Sequence, residues 1–343
     1  MGGVLAAVGL VIAVSGPVAA TPNPANPPEP VVAVLDTGIT AHPALGWSVN
    51  PAGRGVPEGR TLPGYDFISN PWEAADGDGW DPDPSDPGDG VRVAEGNGRC
   101  ADRRSSWHGT NVIGTVMDIA PRAQVLPVRI MGRCGGNTGD VAAALLWAVG
   151  EQVPGIPINP TPADIVNLSL SGASAKCSLA LQTAIDTAVE RGVLVVVAAG
   201  STGADTVALT PANCTNVIVV GSVNRDALRT PTSGFGEEVT FSALGGDMTV
   251  RAKDGVFTTT NKGRYQPGKP GYGYYQSSSA ATARVSAAAA LLVRAHPSEG
   301  PVQLRERLMG FLSPFPPGAC DQGEGRCGDG ILDLGALRSS IGA

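Results

Sequence analysis

Five short, mainly apolar runs punctuate the chain, at 31–35, 125–130, 165–168, 193–199 and 217–221, the first of them ending at Asp36-Thr37-Gly38. Runs this brief, with no polar alternation, predict parallel strands buried on both faces. Between them, 140–149 and 179–191 carry helix-compatible spacing, and a long alanine-rich helix opens at Ser279. Strand and helix alternating in this way predict an α/β fold with a mostly parallel central sheet flanked by helices. Reactive groups of such sheets collect at the carboxyl ends of the strands, where Asp36 and residues 169–172 would sit.

The start of the chain breaks this pattern. Residues 2–14 are apolar and Pro17-Val18-Ala19-Ala20 reads as a small-residue cleavage site, so 1–20 is expected to be a secretory signal peptide, although no Lys or Arg precedes Arg54. The run is too short and glycine-rich for a membrane anchor. Residues 21–30 read as a Pro-rich linker, and 31–338 as one large domain. With 42% hydrophobic residues over 343 positions the chain can bury a sizeable core, and the net charge of −7 argues against nucleic acid as a partner. Six cysteines without a CxxC spacing argue for disulfides in an oxidising compartment, with their connectivity open. The expectation is a secreted monomer that uses no membrane.

The chemistry centres on Trp107-His108-Gly109-Thr110-Asn111-Val112-Ile113-Gly114, a histidine at the mouth of an apolar helix. Asp36-Thr37-Gly38 ends a strand upstream and Ser279 opens a helix downstream, so an Asp, His, Ser order can be read. Serine attacks carbonyls only when an imidazole takes its proton, and the imidazole needs a carboxylate to set its tautomer. His42 lies in a turn and His296 ends a helix before Pro297, which leaves His108 as the best-placed base. Ser279 could be a mere helix cap, but a helix N-terminus also offers N–H groups to a developing oxyanion. Asp36-Thr37-Gly38 matches the aspartic-peptidase motif too, yet that mechanism needs a second such motif, which the chain lacks.

Residues 70–90 differ in kind. Asp76, Asp78, Asp81, Asp83 and Asp86, with Asp89, are separated by glycine and proline with no cation between them. Repelling carboxylates on a loop suit a hard cation, calcium above all, against the alternative of a solvated acidic loop.

Taken together, these strings resemble the subtilisin-like serine peptidases, the subtilases. Val32-Ala33-Val34-Leu35-Asp36-Thr37-Gly38-Ile39 is similar to their aspartate motif, His108-Gly109-Thr110 with Gly114 to their histidine motif, and Ser279-Ala280-Ala281 with Val285 to their serine motif. The insertions at 81–89, 105–108 and 132–136 resemble the secreted bacterial branch. The resemblance implies a three-layer subtilisin-like fold and a secreted endopeptidase acting on protein or peptide substrates, with no organic cofactor. It implies Asp36 as orienting carboxylate, His108 as base and Ser279 as nucleophile. Ser169, Leu170 and Ser171 would form one wall of the substrate pocket, and Ala198, Ala199 and Gly200 the other. It also implies the pairs Cys100 with Cys134, Cys177 with Cys214, and Cys320 with Cys327.

Several positions depart from the pattern. Ser201 stands where subtilases carry the oxyanion-hole asparagine, Ala283 at the usual proline, Asn111 at the second histidine, and Ala44 at a calcium-ligating acid. Ser277 replaces a glycine, which would bring strain if the backbone there required positive φ. These departures leave two readings, an active peptidase or an impaired subtilase fold with a binding role.

Overall fold

The computed structural model describes residues 29–92, 100–323 and 326–343. The expected signal peptide and nearly all of the Pro-rich linker lie outside the described residues. Strands β1 (Val31–Asp36), β2 (Tyr65–Asp66), β3 (Gln124–Arg129), β4 (Ile165–Leu168), β5 (Leu194–Ala198), β6 (Ile218–Val223), β7 (Phe241–Leu244), β8 (Leu312–Ser313) and β9 (Ile331–Leu332) form one sheet in the order β8-β9-β7-β6-β5-β4-β1-β3-β2. All neighbours run parallel except the edge pair β8 and β9.

The unbroken apolar run of β1 has its reason in two buried faces. Val31, Ala33 and Leu35 point into a core shared with α2 (Thr138–Ala148) and α3 (Leu179–Glu190). Val32 and Val34 point into a second core beneath α1 (His108–Ile119) and α4 (Ser278–Ala295). With side chains alternating along the strand and helices covering both sides, no position in it meets water. Alanine serves α4 for the same reason: Ala281, Ala283 and Ala287 to Ala290 are buried, and their small side chains let the helix lie close to the sheet and to α1. Helices α5 (Pro301–Met309) and α6 (Leu334–Ser340) complete that layer.

An antiparallel ribbon, Val256–Asn261 with Pro270–Tyr275, lies outside the sheet and packs on α1. Glycine is required at the crossing, because a Cβ on Gly114 would lie 2.0 Å from Thr259 Oγ1. Tyr275 ends the ribbon with its hydroxyl 3.0 Å from Thr115 Oγ1. The three cysteine pairs expected from the resemblance are the ones formed.

Candidate active site

The chain leaves β1 through Gly38, whose φ is +96°, and the first turn of α1 docks directly on that bend. A Cβ on Gly109 would sit 2.1 Å from Gly38 O, so the glycine is what allows the approach. Thr37 Oγ1 ties the two together, accepting the Gly109 N–H at 3.0 Å and donating to the buried Asp86 Oδ2 at 3.0 Å. Trp107, with φ +53°, anchors the other side of the helix start by donating Nε1–H to Gly263 O at 2.9 Å.

His108 is thereby held over Asp36. Its Nδ1 lies 2.7 Å from Oδ1 and 2.9 Å from Oδ2 of a fully buried carboxylate that also accepts the Thr37 N–H at 2.7 Å. An ionised carboxylate only accepts, so Nδ1 carries the proton and Nε2 of the neutral ring is left as an acceptor. Burial by itself lowers the imidazole pKa, but the charge and hydrogen bond of Asp36, with Asp89 and Asp86 further off, outweigh it and raise the pKa above its ordinary 6.5.

Ser279 comes from the opposite side, in the first turn of α4. Ser277 caps that helix, its Oγ accepting the Ala280 N–H at 3.2 Å. Its φ of 173° is extended backbone open to any residue. The strain anticipated from losing glycine there is therefore absent. Helix starts leave orphan N–H groups, and here nearly all are spoken for. Ser277 N–H goes to Gly245 O, Ser278 N–H to Ser201 Oγ, and Ala281 N–H to Ser277 O. Among the described residues, the Ser279 N–H alone in that turn has no partner.

The Ser279 hydroxyl donates to Ser169 O at 3.1 Å, and Ser169 Oγ donates back to Ser279 O at 3.1 Å. It makes no hydrogen bond to His108 in this conformation. Ser169 is braced in turn by Asn167, whose Nδ2 donates to its Oγ at 2.9 Å while Ser286 of α4 donates to Asn167 Oδ1 at 2.9 Å. The two expected pocket walls meet beside this pair. A Cβ on Gly200 would lie 3.3 Å from Ser171 Oγ, with Leu170 next to Ser171 in the chain and Ala198 and Ala199 buried at the end of β5. Ser201 faces Ser278, with their hydroxyl oxygens 3.0 Å apart. Sequence reasoning left Ser278, Asn167 and Ser286 without a role. A run of three serines at a helix start was the available signal for the first, and nothing local marked the other two.

The acidic loop is only partly as expected. Asp76, Asp78 and Asp81 bring carboxylate oxygens within 4.8 Å of one another, whereas Asp83 and Asp86 stand outside this group. Asp83 accepts the N–H groups of Gly55 and Ser85. Asp86 accepts the Gly88 N–H and the Thr37 hydroxyl, so it supports the site's backbone instead of a cation. Desolvation first, and then the charges of Asp78 and Asp76, push the Asp81 carboxyl up to about 6. Asp76 also pairs with Arg129 at 2.6 Å. All-oxygen donors of one sign at this spacing fit a hard cation. A cavity of about 930 Å³ adjoins them, lined on its far side by Asn261 and Tyr265 and not by Asp36, His108 or Ser279.

A doubly covered parallel sheet with Asp, His and Ser gathered at its carboxyl edge is the subtilisin-like architecture. The sequence pattern of the subtilase family matches residues 28–314, and the chain belongs to that family. It is 37% identical over 316 residues to an extracellular protease of Xanthomonas campestris pv. campestris, covering 89% of this chain and 50% of that protein. It is 35% identical over 329 residues to an extracellular basic protease of Dichelobacter nodosus, covering 91% and 50%. The chain thus spans about half the length of these curated relatives. A solved structure of proteases from Pseudoalteromonas arctica superposes with a TM-score of 0.81 at 38% identity, covering 91% of this chain and 90% of that one.

Proposed function

We propose that the protein is a secreted serine endopeptidase. Ser279 Oγ attacks a peptide carbonyl as its proton passes to His108 Nε2, and Asp36 stabilises the resulting imidazolium through Nδ1–H. The tetrahedral oxyanion is received by the Ser279 N–H. Collapse breaks the C–N bond, His108 returns the proton to the leaving amine, and water repeats the sequence on the acyl-enzyme. Ser169 to Ser171 and Ala198 to Gly200 flank the side chain that precedes the scissile bond.

The single observation that carries this reading is the unpaired Ser279 N–H at an otherwise saturated helix start, beside the hydroxyl of the same residue. An N–H left open at a helix start, next to a serine hydroxyl, is the kind of donor an oxyanion uses. Export is supported by three disulfides and by the names of the two relatives. Among the described residues no helix is long and apolar enough to cross a membrane. Calcium at Asp76, Asp78 and Asp81 is part of the same proposal, as a staple on the loop that supports Thr37, with no catalytic step assigned to it.

The test is intact-mass analysis after exposure to a fluorophosphonate, with Ser279→Ala as control. One adduct, lost in the control, is the expected result. A folded protein that takes no adduct would point instead to a subtilase fold with a binding role.

A further inference from the structure

A second cavity, of about 360 Å³, lies between α4 and the sheet edge where β7 meets β9, and none of Asp36, His108, Ser169, Ser201 or Ser279 lines it. Leu244, Pro314, Pro316, Ile331 and Leu332 give it apolar walls, and Arg284 of α4 brings a cation to it. Arg284 is half-buried, and among the described residues it makes no hydrogen bond and no ion pair. In this it differs from Arg129, Arg229 and Arg307, each of which is held by a carboxylate. Asp333 lines the same cavity, but its Oδ1 caps α6 by accepting the Ala336 N–H at 2.9 Å, and it forms no ion pair with Arg284. Partial burial holds the Arg284 pKa below its ordinary range; Tyr275 and Asp118 oppose that shift, and the charge of Arg225 adds to it. Arg225 is exposed, two positions from Ala227 in the cavity wall, and it too has no ion-pair partner among the described residues. A guanidinium drawn partly out of water beside another cation, with no anion bound to it, is costly to hold.

We infer that this cavity is a binding site for a small apolar carboxylate, the chemistry shared by a free apolar amino acid and by the C-terminal residue of a peptide. The two carboxylate oxygens meet the planar fork of Arg284, which is built for a bidentate pair. The hydrocarbon part lies against Leu244, Pro314 and Leu332. Charge complementarity favours a carboxylate over an alcohol or an amide of the same size. The apolar walls favour it over phosphate or sulfate, which needs donors on every side. The volume falls at the small end of ligand cavities, about 300–1,000 Å³, which suits one residue better than a folded partner. The site stands independently of the peptidase reading, although it shares α4 with Ser279, five positions before Arg284.

The experiment is calorimetric titration of the full chain with N-acetyl-leucine, leucine and N-acetyl-leucinamide, on the parent, Arg284→Gln, Arg284→Lys and Ser313→Trp. A carboxylate is expected to bind the parent, and the amide to bind about tenfold or more weakly, as loss of a charge-assisted pair requires. The tighter of leucine and N-acetyl-leucine identifies the source, a free amino acid or a peptide end. Arg284→Gln should weaken the carboxylate about tenfold or more with Tm unchanged or raised, because no ion pair is lost. Arg284→Lys keeps the charge without the fork and should weaken it by about threefold. Ser313→Trp, on the exposed rim of the cavity, should abolish binding with Arg284 intact, and it serves as the test should Arg284→Gln not fold. No binding of either carboxylate to the parent, or equal binding of the amide, overturns the inference. So does binding that survives both Arg284→Gln and Ser313→Trp, which would belong to the catalytic cleft. Fluorophosphonate labelling of Ser279 is scored separately, and its failure would remove the peptidase reading while leaving this site standing.

Discussion

The two halves of the candidate site are built to different standards. On the Asp36 and His108 side the supporting groups are engaged: the carboxylate takes Nδ1 and the Thr37 N–H, and Thr37 links Gly109 to Asp86. On the Ser279 side the nucleophile's hydroxyl rests on Ser169 O, and the Ser201 hydroxyl rests on Ser278. On the proposed mechanism the base is already in place, whereas the Ser279 hydroxyl has to leave Ser169 O. On that reading turnover is set by the second half, because electrostatic preorganisation helps only where it is already in place when charge develops.

The comparison can be broken most directly at its strong side. Asp36→Asn preserves the packing but reverses the donor and acceptor sense at Nδ1, and kcat is expected to fall about 10⁴-fold; a loss below tenfold on a peptide substrate would mean that the base half is not the catalytic one. On the weak side, Ser201→Asn places a longer amide donor at the oxyanion position. It should raise kcat by roughly tenfold or more, part of the roughly 100- to 1,000-fold that one such side-chain donor is worth in subtilisin. A fall in kcat would show that Ser201 does not sit there.

The pH profile sharpens the contrast further. On the proposed mechanism His108 acts only as the neutral imidazole, and its pKa is raised above 6.5. Activity should therefore be lost as pH falls through that raised value, with kcat/KM dropping about tenfold per unit below it. An acid limb centred below 6.5 would contradict the Asp36 pairing. The smallest effect concerns the loop behind the base. Millimolar calcium should raise Tm, with saturation worth up to about 3 kcal/mol at a hundredfold excess over Kd, and Asp78→Asn should remove the response. Since Asp81 sits at about 6, protons should displace the ion as pH falls through that value, and calorimetric titration at pH 8 and pH 5 would check it.

Much of this was legible before any coordinates. Strands β1, β3, β4, β5 and β6 fall within a residue or two of the apolar runs, because a strand covered on both faces must be apolar throughout, as β1 is, whereas β2, β7, β8 and β9 drew no expectation. The acidic loop was legible as a feature and misread in detail. Composition could not tell that Asp86 is buried against Thr37 while Asp78 is exposed, since both follow the same glycine and proline spacing. The ribbon of 256–275 drew no expectation either, for its Gly-Tyr alternation is short and its long turn resembles an ordinary loop.

By itself the sequence determined the α/β class, the family, the order of Asp36, His108 and Ser279, and the absence of asparagine at Ser201. These follow from local patterns, in which periodicity and residue type carry the information. Only the tertiary structure decided which hydrogen bonds those residues make. That Ser277 is unstrained depends on a backbone angle set by packing. That Ser201 is engaged by a serine 77 positions away depends on how β5 and α4 meet at the sheet edge. Hydrogen bonds are directional and short, so a displacement too small to alter any sequence pattern is enough to make or break them.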